Sequence, residues 1–164
     1  MKKRARYVLL AIFFVYCAAL MYLVFFSRGF RTQYSYSHYF KYFTNFIPFK
    51  TITHYIDMYN SGFRFLPIWN LLGNFVLFLP MGLLLPCVFK GFRRFRRVVL
   101  CIFIMVVLVE VAQFSLRVGI IDVDDVIFNL SGAMIGYGIF KIPPINKILH
   151  KIYFIDDDCE EKTE

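Results

Sequence analysis

Four stretches of the chain stay apolar for long enough to cross a bilayer. A hydrocarbon core about 30 Å thick takes about 20 helical residues at a rise of 1.5 Å each. The first stretch, residues 7–26, is uninterrupted and follows Lys2, Lys3, Arg4 and Arg6. A cleaved signal peptide also starts with basic residues, but its apolar core is shorter and a small-residue cleavage site follows. This stretch is full length and runs on into Ser27-Arg28-Gly29-Phe30, so it reads as an uncleaved first helix. The second, residues 68–89, is interrupted by Asn70, Asn74 and Pro80. The third, residues 98–116, carries Glu110 and Gln113. The fourth, residues 126–142, carries Asn129 and a Gly132/Gly136 pair. Asp125 is its expected N-cap, and Pro143-Pro144 ends it. The pattern predicts an all-α bundle of four transmembrane helices over residues 1–142, followed by a tail at 143–164. The Gly132/Gly136 spacing predicts a close helix contact.

Composition removes the main competitors. Of 164 residues, 59% are hydrophobic, 20% aromatic and only 18% charged. A soluble chain of this size buries only about 70% of its unfolded surface, too little to hide so much apolar material. Disorder needs low hydrophobicity and is excluded as well. The net charge of +8 could suggest nucleic acid, but the basic residues lie between the apolar runs and read as membrane topology. No nucleic-acid partner is expected. The N-terminal cluster and the loop carrying Lys90, Arg93, Arg94, Arg96 and Arg97 are expected on the cytoplasmic side. That gives an N-in/C-in orientation in the membrane. Arg28, Arg31, Lys41, Lys50 and Arg64 fall in the outer loop and run against the rule. That loop is also rich in aromatics from Tyr34 to Phe49, which favour the headgroup layer, so it is expected to lie along the membrane surface. Cys17, Cys87, Cys101 and Cys159 have no metal-type or disulfide-type spacing.

The polar residues inside the runs converge at one depth. Glu110 falls roughly 10 Å below the outer surface, with Gln113 and Arg117 on the same helical face. Asn70 and Asn74 share a face in the first two turns of the second helix. Asp122, Asp124 and Asp125 precede the fourth, with Asn129 one turn further in. Intramembrane polar groups face a bundle interior or a wet cavity. The expected ligand site therefore comprises Asn70, Asn74, Glu110, Gln113, Arg117, Asp122, Asp124, Asp125 and Asn129, with a formal charge of about −3. Glu110 and Arg117, at i and i+7, are the expected pair most sensitive to change. Each residue also has a plainer role open to it. Asn and Gln hold helices together, Glu110 and Arg117 could simply pair, and Asp124 or Asp125 could cap a helix. His38 and His54 read as isolated loop histidines, and His150 as a tail residue.

Three ordered blocks then carry a resemblance. They are Asn45-Phe46-Ile47-Pro48-Phe49, Asn70-Leu71-Leu72-Gly73-Asn74-Phe75-Val76-Leu77-Phe78-Leu79-Pro80-Met81-Gly82, and Glu110-Val111-Ala112-Gln113. Arg117, Asp122, Asp124, Asp125, Asn129 and Gly132 follow in order. Together they resemble the VanZ-like family of small bacterial membrane proteins. The resemblance implies a multi-pass protein of the cell envelope, with a role in resistance to the glycopeptide teicoplanin. Its expected partners are membrane lipids and a lipid-linked wall precursor or the drug itself, met at the outward pocket. The alternative is a membrane-embedded enzyme on a lipid-linked substrate, with Asp122, Asp124, Asp125 and Glu110 holding a divalent cation. No His/Cys metal spacing, Gly-rich phosphate loop or Ser/His constellation is visible. No cofactor or metal site is therefore predicted, catalytic residues are not assigned, and the non-enzymatic reading is preferred. The residues do not define an oligomeric state. Transport is disfavoured, because the polar groups occupy only the outer third of the bundle and no repeated, broken helices are seen.

Overall fold

The computed structural model describes residues 2–26, 29–63 and 65–145, with the side chains of 2–3 and 66–71 outside that description. Each of the four apolar runs is a helix: α1 (Lys2–Phe26), α4 (Phe65–Val88), α5 (Phe95–Leu116) and α6 (Val123–Lys141). Two short helices, α2 (Tyr36–Tyr42) and α3 (Lys50–Asn60), occupy the loop between α1 and α4. Two-residue strands β1 (Thr44–Asn45) and β2 (Ile121–Asp122) pair in parallel, with Thr44 opposite Ile121 and Asn45 opposite Asp122. A 3-10 turn at Lys90–Arg93 joins α4 to α5. The tail proposed at 143–164 lies almost wholly outside the described residues, as do Cys159 and His150.

Helices α1 and α5 bury one stripe and leave much of the rest apolar and exposed, while α4 and α6 are mostly buried or half-buried. On α5 the buried line is Val98, Ile102, Val106, Glu110 and Gln113, a spacing of four, four, four and three. Leu100, Ile104, Leu108 and Val111 on the same helix are exposed. The stretches Arg4–Phe26 and Phe95–Leu116 are long and apolar enough to cross a membrane. Such exposed apolar faces suit lipid and not water.

The tightest contact joins α4 and α6. A Cβ placed on Gly132 would lie 2.0 Å from the carbonyl oxygen of Phe75, and one on Gly136 2.0 Å from that of Leu79. A Cβ on Gly82 of α4 would lie 1.8 Å from the carbonyl oxygen of Ala133 on α6. Glycines from both helices thus let the two backbones touch, as small-residue faces do in membranes. Helix α4 runs on through Pro80 and Pro86. In the turn before Pro80, the Tyr16 hydroxyl donates to Leu77 O at 2.6 Å, giving a carbonyl next to the proline a partner from α1.

Helix α6 begins three residues before the expected start. Its N-cap is Asp122 and not Asp125. Asp122 is extended (φ −139°, ψ 125°) and its Oδ1 accepts from Asp124 N at 2.9 Å. The strand pairing of β2 fixes that extended geometry and so decides which aspartate caps.

Candidate functional site

The ends of α1 and α5 and the starts of α4 and α6 meet at one end of the bundle, with α2 and α3 packed over them. Every predicted site residue is at this end, but the residues divide into two groups.

On the α3, α4 and α6 side, five carboxylate and amide side chains form a clasp. Asn45 Nδ2 donates to Asp122 Oδ1 at 2.9 Å and to Thr51 Oγ1 at 3.2 Å, and the Thr51 hydroxyl donates to Asp122 Oδ2. Asp124, 1% exposed, accepts from Phe49 N at 2.6 Å and from Thr51 N at 2.9 Å. It also receives a longer bond from Ile52 N at 3.4 Å. These N–H groups belong to the first turn of α3. Its own cap residue, Phe49, sits in the left-handed region at φ 66° and supplies no side-chain cap. Asp124 of α6 therefore caps a different helix, satisfying donors that the α3 N-terminus leaves open. The next residue of α6, Asp125, accepts from Asn74 Nδ2 of α4.

Beside this clasp lies a pocket of about 760 Å³. Asn74, Asp122 and Asp125 line it together with Arg31, Tyr42, Thr44, Asn45 and Gly73. One face of α3 completes it with Lys50, Thr51, His54 and Tyr55, at i, i+1, i+4 and i+5. The expected charge of −3 does not describe this pocket. Arg31 and Lys50 match Asp122 and Asp125 in number, and His54 adds a third basic group.

On the α1, α2 and α5 side, donors meet the carbonyls released where α5 ends. Arg117 is the C-cap residue of α5, left-handed at φ 50°. Its Nη1 donates to Tyr34 O at 2.6 Å, and its guanidinium lies 4.6 Å from the Tyr36 ring centroid. Tyr36 donates to Ser115 O at 3.0 Å. The fully buried Tyr39 donates to Val118 O at 3.0 Å and Gly119 O at 3.2 Å. Burial pushes its phenol above the usual tyrosine range; the Arg31 charge opposes this and the Glu110 charge adds to it. Gln113, 1% exposed, donates to Val24 O of α1 at 3.1 Å. Glu110 is buried on the same stripe.

Asn74, Asp122 and Asp125 thus share the pocket, and Asp124 sits in the clasp behind it. Glu110, Gln113 and Arg117 belong to the other group. Asn129 is buried nearly two turns into α6 and is not among the pocket-lining residues. The Asn70 side chain is outside the described set. Among the described residues, no group of three or more His, Cys, Asp or Glu side chains could hold a metal ion. Residue reading missed Arg31, Lys50, Thr51, His54 and Tyr55. A signal was present: Arg31 and Lys50 were two of the cations on the wrong side for topology, and Lys50 and Thr51 directly follow the Asn45–Phe49 block.

Helices with lipid-compatible faces and a polar site at one end define a small integral membrane protein. A family model described as VanZ/LLP1 matches residues 13–145, and the chain belongs to that family. It is a VanZ-like membrane protein, from a family linked to glycopeptide resistance. No curated protein and no solved structure matches the chain.

Proposed function

We propose that the chain crosses the membrane four times with both termini inside, and that its pocket faces outward. There it binds the phosphate-bearing headgroup of a lipid-linked wall precursor or envelope lipid, and so changes glycopeptide access. Length supports the four spans. At 1.5 Å per residue the 24 residues of α4 reach about 36 Å and the 19 of α6 about 28 Å. The basic turn at Lys90–Arg93 lies at the end away from the pocket, which agrees with a cytoplasmic position.

The observation that carries the ligand is the facing of two charge types around one pocket. Arg31, Lys50 and His54 suit a phosphate, through charge and N–H donors. Asp125, Asn74 and Asn45 suit the amino and hydroxyl groups of a sugar or peptide headgroup. A ligand with both belongs at the interface, its lipid tail along the bundle and its head in the pocket. Asp122 and Asp124 direct their oxygens to Asn45, Thr51 and backbone N–H groups, so they serve the protein's own frame before any cation.

Two measurements test this. Lipid extracted from the purified full chain should contain a phosphate-bearing lipid-linked species that Lys50→Gln and Asp125→Asn lose. Equal recovery from all three proteins would remove the pocket reading. Teicoplanin susceptibility of cells with and without the protein tests the resistance role separately, and unchanged susceptibility removes it.

A second reading is favoured by His54, because imidazole is the side chain most often used for proton transfer. Here the pocket hydrolyses a phosphate ester of the same lipid. Water attacks phosphorus, the P–O bond to the leaving group breaks, and the leaving oxygen takes the proton. Phosphate release by the purified protein, abolished by His54→Ala, would establish it. Binding without release would leave the first reading alone.

A further inference from the structure

Nine glycines occur in the chain, and the backbone accounts for most of them. Gly29, Gly62 and Gly119 have a positive φ, where other residues are strained. Gly82, Gly132 and Gly136 sit where a Cβ would run into the backbone of the neighbouring helix. Gly73 has neither reason. It lies in the interior of α4 without a positive φ, and a Cβ there would meet nothing within 4 Å. A glycine inside a helix lowers stability relative to alanine, so the fold alone gives α4 no cause to carry one at this position.

What Gly73 does have is the pocket. Gly73, Asn74 and Leu77 are the α4 residues that line it, at i, i+1 and i+4, and so form one face. With no side chain at Gly73, the helix backbone itself is the wall at that point. Tyr42 and Tyr55 bring aromatic rings to the same pocket, and Asn74 and Asp125 bring amide and carboxylate groups. At about 760 Å³ the pocket is the size of a small-molecule site and holds far more than a phosphate group. A bare wall, aromatic rings and polar groups that donate and accept together fit a saturated ring edged with hydroxyls. Its flat C–H face can lie on apolar surface while its rim hydrogen-bonds.

Resting on the reading that the pocket takes a phosphate-bearing lipid headgroup, we propose that Gly73 selects a headgroup with a sugar joined to the phosphate. The pyranose ring lies against the α4 backbone at Gly73, with its hydroxyls toward Asn74 and Asp125. Close approach of a backbone to a ligand is one of the uses of glycine. Gly73 is therefore a specificity-determining residue, and a headgroup without a ring gains nothing from it.

The test is titration calorimetry of the full chain in detergent with a short-chain prenyl diphosphate, either bare or carrying N-acetylglucosamine on its terminal phosphate. Wild type should bind the sugar-bearing lipid about tenfold tighter, the effect of one or two added hydrogen bonds. Gly73→Leu should bind both lipids equally, holding the bare one as wild type does. Gly73→Ala should melt at or above the wild-type temperature, because alanine favours the helix, and should keep only about threefold of the preference. Gly138→Leu, at a glycine with the same open space but outside the pocket, should keep the full preference. A full preference in Gly73→Leu or Gly73→Ala would overturn the proposal. So would a Gly73→Ala protein that melts below wild type, which would give the glycine a packing role, or loss of the preference in Gly138→Leu. If wild type binds both lipids equally, the pocket reading stands and the assignment to Gly73 falls. If wild type binds neither, the pocket reading falls and this inference with it.

Discussion

The two polar groups at the pocket end solve opposite problems. On one side a helix C-terminus, that of α5, leaves carbonyls open, and Tyr36, Tyr39 and Arg31 donate to Ser115 O, Val118 O and Gly119 O. On the other side the N-termini of α3 and α6 leave N–H groups open, and Asp124 and Asp122 accept from them. The unsatisfied backbone groups at each helix end account for Ser115 O and the N–H groups, while Val118 O and Gly119 O belong to the turn just beyond α5. What differs is the remainder. On the α5 side Tyr39 turns inward and is fully buried with the turn it serves. On the α3 side the aspartates hold a helix whose next face, Lys50 to Tyr55, is turned into an open pocket. Carboxylates at helix ends are thus weak evidence for a ligand by themselves; the side chains they hold in place are stronger evidence.

The largest effect should come from the frame that both regions share. Gly132→Leu drives a branched side chain into the Phe75 backbone, where even a Cβ would lie 2.0 Å from oxygen. Backbone cannot step aside as a side chain does, so the cost should reach about 3 kcal/mol or more. Size-exclusion profiles in detergent should show loss of the folded monodisperse species. Gly138→Ala, with nothing within 4 Å of its Cβ, should stay within about 0.5 kcal/mol of wild type. A folded Gly132→Leu protein would mean that α4 and α6 are further apart than described.

The comparison itself is broken open by Asp124→Ala. It removes the acceptor for the first turn of α3 and leaves α2 untouched, at a cost of about 1–3 kcal/mol for the unpaired buried N–H groups. Hydrogen exchange should rise across residues 50–60 and stay protected across 36–42. Loss of protection in both segments would show that the two regions fold as one unit. A smaller effect is expected at Lys50→Gln. Lys50 is exposed, so stability should hold within about 0.5 kcal/mol. Affinity for a short-chain lipid diphosphate should fall about fivefold by titration calorimetry, for the loss of roughly 1 kcal/mol of charge attraction. Unchanged affinity would place the phosphate elsewhere.

The four apolar runs and the Gly132/Gly136 contact were legible because both depend on local spacing. The placement of Asn74, Glu110 and Asp125 toward one end of the bundle was legible for the same reason, since it follows from counting turns. The division into two groups was not. It depends on which neighbour each helix face meets, and the meeting is arranged by α2, α3 and the β1–β2 pairing. Those are short elements with little periodicity. Asp124 shows the difficulty: its spacing marks it as a cap, but the helix it caps lies more than seventy residues earlier. Arg31 and Lys50 were visible as exceptions to the charge rule, and such an exception is itself a site signal.

The finest test concerns the closed side. Tyr39→Phe removes one hydroxyl that donates to two carbonyls, and below about pH 10 this should cost about 1 kcal/mol. The phenol is held above its ordinary value near 10 by burial first, with the Glu110 charge adding and the Arg31 charge opposing. As pH rises, the unfolded chain therefore releases this proton before the folded one does. The stability that Tyr39 contributes is complete below about pH 10 and falls away as pH climbs through the raised folded value. Thermal unfolding of wild type and Tyr39→Phe in detergent should show a gap at about pH 8 that narrows by about pH 11. Tyr36→Phe, at a half-exposed position, should show a smaller gap with less change. A Tyr39 gap independent of pH would place that hydroxyl in contact with water, and the α5 side would then be as open as the pocket it is contrasted with.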